Sequence, residues 1–161
     1  MQTKDLVVNA SPLIALFKSQ LADLLPQMFD QIRVPPAVFR EVTAYKNDIA
    51  AQALPHTSWI SQTEAVNISS LVLAWDLGAG ESEVLSYAIE HPTFTAMIDD
   101  AAARRCPVSC NIPTLGTAGL TVLAKRRGLI SSVMEPVQAL RNAGLWLSDD
   151  LIRLLKQKAG E

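Results

Sequence analysis

Two short apolar runs each stop on polar side chains: Leu6-Val7-Val8 gives way to Asn9, and residues 94–98 give way to Asp99 and Asp100. Strands this short and this apolar need cover on both faces, which a parallel sheet between helical layers provides. The intervening segments carry helix signals. Ser11 is placed to cap a helix with Pro12 at its first position, running on through Leu13, Leu16 and Phe17. A second helix covers residues 21–28. Gln31–Val34 reads as a strand stopped by Pro35-Pro36, and Pro36 opens a helix that carries Glu41.

Further along, residues 48–54 read as helical and 59–63 as a strand. Residues 68–75 read as a helix, broken by Gly78-Ala79-Gly80, and 81–90 as a helix with Val84, Leu85, Ala88 and Ile89 inward. Residues 101–106 are helical and Val108 falls on a short strand. Helices follow over 114–128 and 134–143, and Ser148 caps a last one at Asp149–Lys158. Alternating strands and helices define an α/β class with a central parallel sheet and helices on both faces. The helices from about residue 133 onward form an extra C-terminal portion of a single domain over 1–161.

Composition narrows the function. Apolar residues make up 49% and charged residues 19%, as in a packed globule. The net charge of −2 offers no global attraction for nucleic acid, so any such binding has to come from a local basic patch. No apolar run approaches the roughly 20 residues of a membrane span, and the first residues, MQTKDLVVNA, do not form a signal peptide. A cytoplasmic protein without membrane contact is expected. Cys106 and Cys110 then read as reduced thiols. With only His56 and His91 as histidines, both distant in sequence, a Cys/His zinc site is not expected.

Chemistry therefore rests on the polar strand ends. Ligands of open α/β sheets bind at the carboxyl ends of strands. If the strands that end in Asn9 and Asp99 are neighbours, about 4.8 Å apart, the two side chains share a site. Glu41 and Glu81 are the other acidic candidates. Glu81 starts a helix directly after a Gly-x-Gly break, where backbone can approach a crowded centre. Each residue also has a plain reading: a turn for Asn9, a helix cap for Asp99 or Asp100, a dipole partner for Glu81, a solvated face for Glu41. Only their joint occurrence at strand ends is informative.

The ordered set VVNASPLIAL, IRVPPAVFREV, LGAGESEVL, IDDAAARR, TLGTAGLTVLAKRRGLI and ALRNAGLWLSDDLI resembles the PIN-domain superfamily, in a bacterial branch related to toxin–antitoxin ribonucleases. The resemblance spans nearly the whole chain. It implies a three-layer sandwich with an acidic pocket at the strand ends. The family's acidic positions fall on Asn9, Glu41, Glu81 and Asp99, with Asp100 beside the last. Asn9 departs from the usual Asp. The implied catalytic groups are Glu41, Glu81, Asp99 and Asp100, and the implied metal ligands are Asn9, Glu41, Glu81 and Asp99.

Clustered carboxylates repel one another, and oxygen ligands select Mg²⁺ or Mn²⁺. The resemblance implies a Mg²⁺- or Mn²⁺-dependent endoribonuclease, the toxin of a toxin–antitoxin pair, with RNA, an antitoxin protein and a second copy as partners. Substrate contacts are expected from Ser11, Arg104, Arg105, Thr114 and Thr117. The run Lys125-Arg126-Arg127 has a plainer reading, closing a helix before Gly128, and packing is the expectation for Trp59, Trp75 and Trp146. The neutral Asn9 leaves a second outcome open: a scaffold that has lost catalysis and binds RNA or protein. A nucleotide-binding module is disfavoured, because Gly78-x-Gly80 lacks the third Gly and follows a helix.

Overall fold

A computed structural model describes residues 4–106 and 111–161. Val108 and Cys110, assigned above to a strand and a thiol, lie outside the described residues. Among the described residues, five parallel strands form one sheet in the order β3-β2-β1-β4-β5. They are β1 (Asp5–Val8), β2 (Gln31–Val34), β3 (Ile60–Gln62), β4 (Phe94–Met97) and β5 (Thr114–Leu115). Leu6, Val7 and Val8 are fully buried, and every residue of β4 is buried, as strands covered on both faces require. The sheet lies between layers of helices, as the alternation of elements anticipates.

The helices are α1 (Ala10–Lys18), α2 (Leu24–Met28), α3 (Pro36–Thr43), α4 (Ile49–Ala53), α5 (Ser70–Leu73), α6 (Ala79–Glu90), α7 (Ala101–Arg105), α8 (Thr117–Arg126), α9 (Met134–Asn142) and α10 (Asp149–Lys158). A 3-10 turn, Leu54–His56, follows α4. None of the described helices is long and apolar enough to cross a membrane.

Three expectations shift. Ser11 is not the cap of α1. Asn9 holds that place with extended backbone (φ −80°, ψ 166°), and Ser11 and Pro12 fall in the first turn, where no N–H is needed. Thr114 is not helical: Thr114 and Leu115 pair with Ala96 and Met97 as the edge strand β5, and α8 starts only at Thr117. A strand of two residues is too short to show alternation. The helix over 68–75 contracts to α5, whose cap is Ser69 accepting from Leu71 N–H at 3.3 Å.

A main buried cluster lines both faces of the sheet. A second one joins Ala15 and Val122 to Val133, Val137, Leu140, Leu147 and Leu155, so that α9 and α10 pack on α8 and α1. Glu161 fastens this portion. Its carboxylate accepts from Ser132 Oγ at 2.5 Å and Val133 N–H at 2.8 Å, and Lys125 Nζ lies 3.4 Å away. The Ser132 and Val133 hydrogen bonds hold the Glu161 carboxyl below its ordinary pKa. The remaining basic-run residues are structural too. Arg126 donates to the carbonyl of Lys158 (Nη2, 2.9 Å) and Arg127 to that of Met28 (Nη1, 2.8 Å). Gly128, at φ +73°, closes α8 as the left-handed residue.

Candidate functional site

The strand order reverses between β1 and β4, so the crevice at their carboxyl ends is the switch point of the sheet. Val8 pairs with Met97, and Asn9 N–H donates to the Met97 carbonyl at 3.0 Å. Asn9 therefore sits one residue past β1, beside the chain that delivers Asp99 past β4. The adjacency anticipated from the two apolar runs is present.

Asn9 is 3% exposed, and its Oδ1 has no hydrogen-bond partner among the described residues. Its side chain does not cap α1. What Oδ1 faces is shown by Gly80. A Cβ there would lie 3.0 Å from Asn9 Oδ1 and 3.2 Å from Glu41 Oε2. Asn9 and Glu41, brought by β1 and α3, thus converge on one glycine of α6. The lack of a side chain at Gly80 is what lets α6 come this close. Glu81, the next residue, folds its carboxylate back over Gly78, where a Cβ would meet Oε2 at 2.6 Å.

Glu41 has its carboxyl pKa raised above the ordinary value of 4.5, first by partial burial and second by the charge of Glu81. The two carboxylates therefore share an electrostatic neighbourhood, with the orphan amide oxygen beside them. For a carboxyl whose folded pKa exceeds its unfolded one, the stabilising contribution is present at low pH and is lost as pH rises through the folded value. Glu41→Gln removes that loss. In chelator, its thermal midpoint is expected to exceed that of the wild type at pH 7, with the gap closing toward pH 4. A gap independent of pH would dissociate Glu41 from the strain.

Asp99 is held differently. Its Oδ1 accepts from Thr117 N–H at 2.8 Å and its Oδ2 from Thr117 Oγ1 at 2.5 Å. Thr117 is fully buried at the start of α8, so it serves as the clamp that orients Asp99. Gly116 makes room here. A Cβ would lie 3.1 Å from Arg104 Nη1 and 3.2 Å from Asp99 Oδ1. Asp100 turns to its own helix and caps α7, its Oδ1 accepting from Ala102 N–H at 2.7 Å and Ala103 N–H at 3.2 Å. That is the plain helix-cap reading of this residue.

Two clefts open on these groups. One of about 260 Å³ is lined by Ser11, Glu41 and Leu145, among others. The other, about 330 Å³, is lined by Asp99, Arg104, Leu145, Trp146 and Lys158, among others. Leu145 lines both, so the segment between α9 and α10 forms a wall shared by the Glu41 side and the Asp99 side. Arg105 is exposed on α7 and lines neither cleft. Thr114 lies on β5, partly buried.

A PIN-domain family model matches residues 5–161. The chain belongs to the PIN-domain family. No curated protein and no solved structure matches it. A nuclease-type fold follows from the family, and PIN domains typically use divalent metals. Among the described residues, no three Asp, Glu, His or Cys side chains gather as a metal cage. The oxygens that do converge fit a hard cation nonetheless: a buried carbonyl oxygen lacking a donor, next to a carboxylate crowded by another.

Several participants in this PIN domain lacked a sequence signal. Glu83 Oε2 accepts from Ala37 N–H at 2.7 Å, tying α6 to the first turn of the helix that carries Glu41. Nothing in the spacing marks Glu83. Gly80, read as part of a break that lets backbone approach a crowded centre, is the second residue of α6, and Gly116, read as lying inside a helix, is the cap position before α8. Trp146, expected to pack, is 83% exposed. Its neighbours Leu145 and Leu147 take the inward positions of the segment instead.

Proposed function

We propose that this chain is a metal-dependent ribonuclease that hydrolyses RNA phosphodiesters, acting as the toxin of a toxin–antitoxin pair. Asn9 Oδ1 carries the reading. A buried amide oxygen without a donor costs about 1–3 kcal/mol, and this one is retained at the switch point beside Glu41. Mg²⁺ or Mn²⁺ relieves both that deficit and the repulsion between Glu41 and Glu81. Asn9 and Glu41 are the residues that would hold it, with Glu81 beside them; Asp99, whose two oxygens both accept from Thr117, would join from the neighbouring strand end. When bound, such a cation supplies an activated water and charge neutralisation on the phosphodiester. The chain's own contribution is positional. Thr117 fixes both oxygens of Asp99, Gly80 admits α6 to the centre, and Arg104 sets positive charge next to Asp99 for a phosphate oxygen.

The test is incubation of the purified chain with single-stranded RNA in Mn²⁺, Mg²⁺ or chelator. Cleavage that requires metal supports the reading, and RNA bound but never cut sinks it. That second outcome is the scaffold alternative, favoured by the neutral Asn9 and by the commitment of Asp100 to α7. An antitoxin and a second copy remain proposed partners. Exposed Leu71 (62%) and Leu73 (64%) on α5 support a protein-binding face.

Asn9 makes a further claim testable. Asn9→Asp restores one negative charge without changing shape, and is expected to tighten Mn²⁺ binding about tenfold or more. Calorimetric titration of both forms measures it. Equal affinities would take Asn9 out of the ligand set.

A further inference from the structure

The cleft beside Asp99 has features the catalytic reading leaves unused. An indole 83% in water is an expensive group to leave exposed, and this one is held out by its surroundings. Gly144, at φ +103°, turns the chain out of α9, and Leu145 N–H donates back to the Leu140 carbonyl at 3.0 Å. Leu147 is buried in the second cluster, and Ser148 Oγ caps α10 by accepting from Leu151 N–H at 3.1 Å. Both ends of the short segment are thus pinned, and Trp146 is its outward side chain. The same cleft is lined by two cations, Arg104 and Lys158, against the single carboxylate of Asp99. The guanidinium of Arg104 carries five N–H donors, enough to serve a phosphate in addition to its present contacts.

We propose that this cleft seats one unpaired nucleotide of the RNA, its base stacked on the Trp146 indole and its phosphate against Arg104 and Lys158. The proposal rests on the ribonuclease reading for the identity of the ligand. A flat aromatic face, cations at the rim and a volume of about 330 Å³ suit a single nucleotide. A protein helix would need a longer groove. The chain passing through this cleft reaches Asp99 directly, so the base on Trp146 belongs to a nucleotide adjoining the scissile phosphate. A base inside a duplex offers no free face, so paired RNA does not fit.

Binding is measured without cleavage, in chelator or in Ca²⁺, using a fluorescent single-stranded oligonucleotide and the same sequence as a duplex. Trp146→Ala is expected to weaken single-strand binding by about five- to a hundredfold, with the thermal midpoint unchanged because the side chain is exposed. Trp146→Phe is expected to restore most of the affinity, and Trp146→Leu little of it. Rescue by Leu as complete as by Phe would overturn stacking, and so would an equal loss on the duplex. Unchanged affinity in every Trp146 variant would also overturn the proposal and leave the indole to a protein partner. The two readings fail separately. Trp146-dependent binding by a chain that cuts nothing in any metal defeats the ribonuclease and retains the subsite. Metal-dependent cutting indifferent to Trp146 does the reverse.

Discussion

Asp99→Asn is expected to lower metal-dependent RNA cleavage by on the order of a hundredfold or more, with the thermal midpoint within about 2 °C of the wild type. The substitution is isosteric, and Thr117 can satisfy it. Thr117 N–H keeps its acceptor in Oδ1, and the Thr117 hydroxyl reverses to accept from the new amide. The start of α8 therefore stays capped. What is lost is the negative charge at the strand end, which no neighbouring hydrogen bond replaces. Cleavage rate against thermal midpoint separates the outcomes. Activity within a few-fold of the wild type would remove Asp99 from the chemistry. A collapse of the midpoint would reduce it to a helix cap.

Gly80→Ala is expected to be nearly as damaging through sterics alone. The added methyl would press on Asn9 Oδ1 at 3.0 Å, Glu41 Oε2 at 3.2 Å and Val38 Cγ2 at 3.4 Å. Asn9 is buried and Val38 is fully enclosed, so neither has room to retreat. Either Glu41 swings outward or α6 moves away from the β1 end, and both separate the oxygens. Destabilisation of about 1–3 kcal/mol is the usual scale for overpacking, and Mn²⁺ affinity is expected to fall about tenfold. Denaturant unfolding and calorimetry measure the two effects. A variant that unfolds and binds metal like the wild type would show that Gly80 does not gate the centre.

Much of the architecture is legible before any coordinates. The apolar runs ending in Asn9 and Asp99 identify β1 and β4 as buried strands, and Pro36, Ser148 and Gly128 mark the helix ends where they occur. β5 was hidden, because Thr114-Leu115 is too short for periodicity and merges with the helix that follows. The site is legible as a list of side chains and not as an arrangement. That Asn9 and Glu41 meet across Gly80, while Asp99 belongs to Thr117 and Asp100 to α7, depends on approach distances between elements far apart in sequence. Trp146 shows the same limit. An aromatic residue among leucines reads as core until the pinned ends of the segment turn it outward.

The seam between β1 and β4 has a consequence for how the molecule comes into being. Val8 and Met97 lie side by side, yet most of the other strands and helices are made between them. During synthesis, a chain with Asn9, Glu41 and Glu81 already in place has no partner for the β1 edge where the centre forms. Asp99 arrives later, its clamp Thr117 later again, and the Leu145 wall later still. On the ribonuclease reading proposed above, a half-made copy lacks Asp99 and its clamp, because the topology postpones assembly of the acidic centre until β4 and α8 have been made.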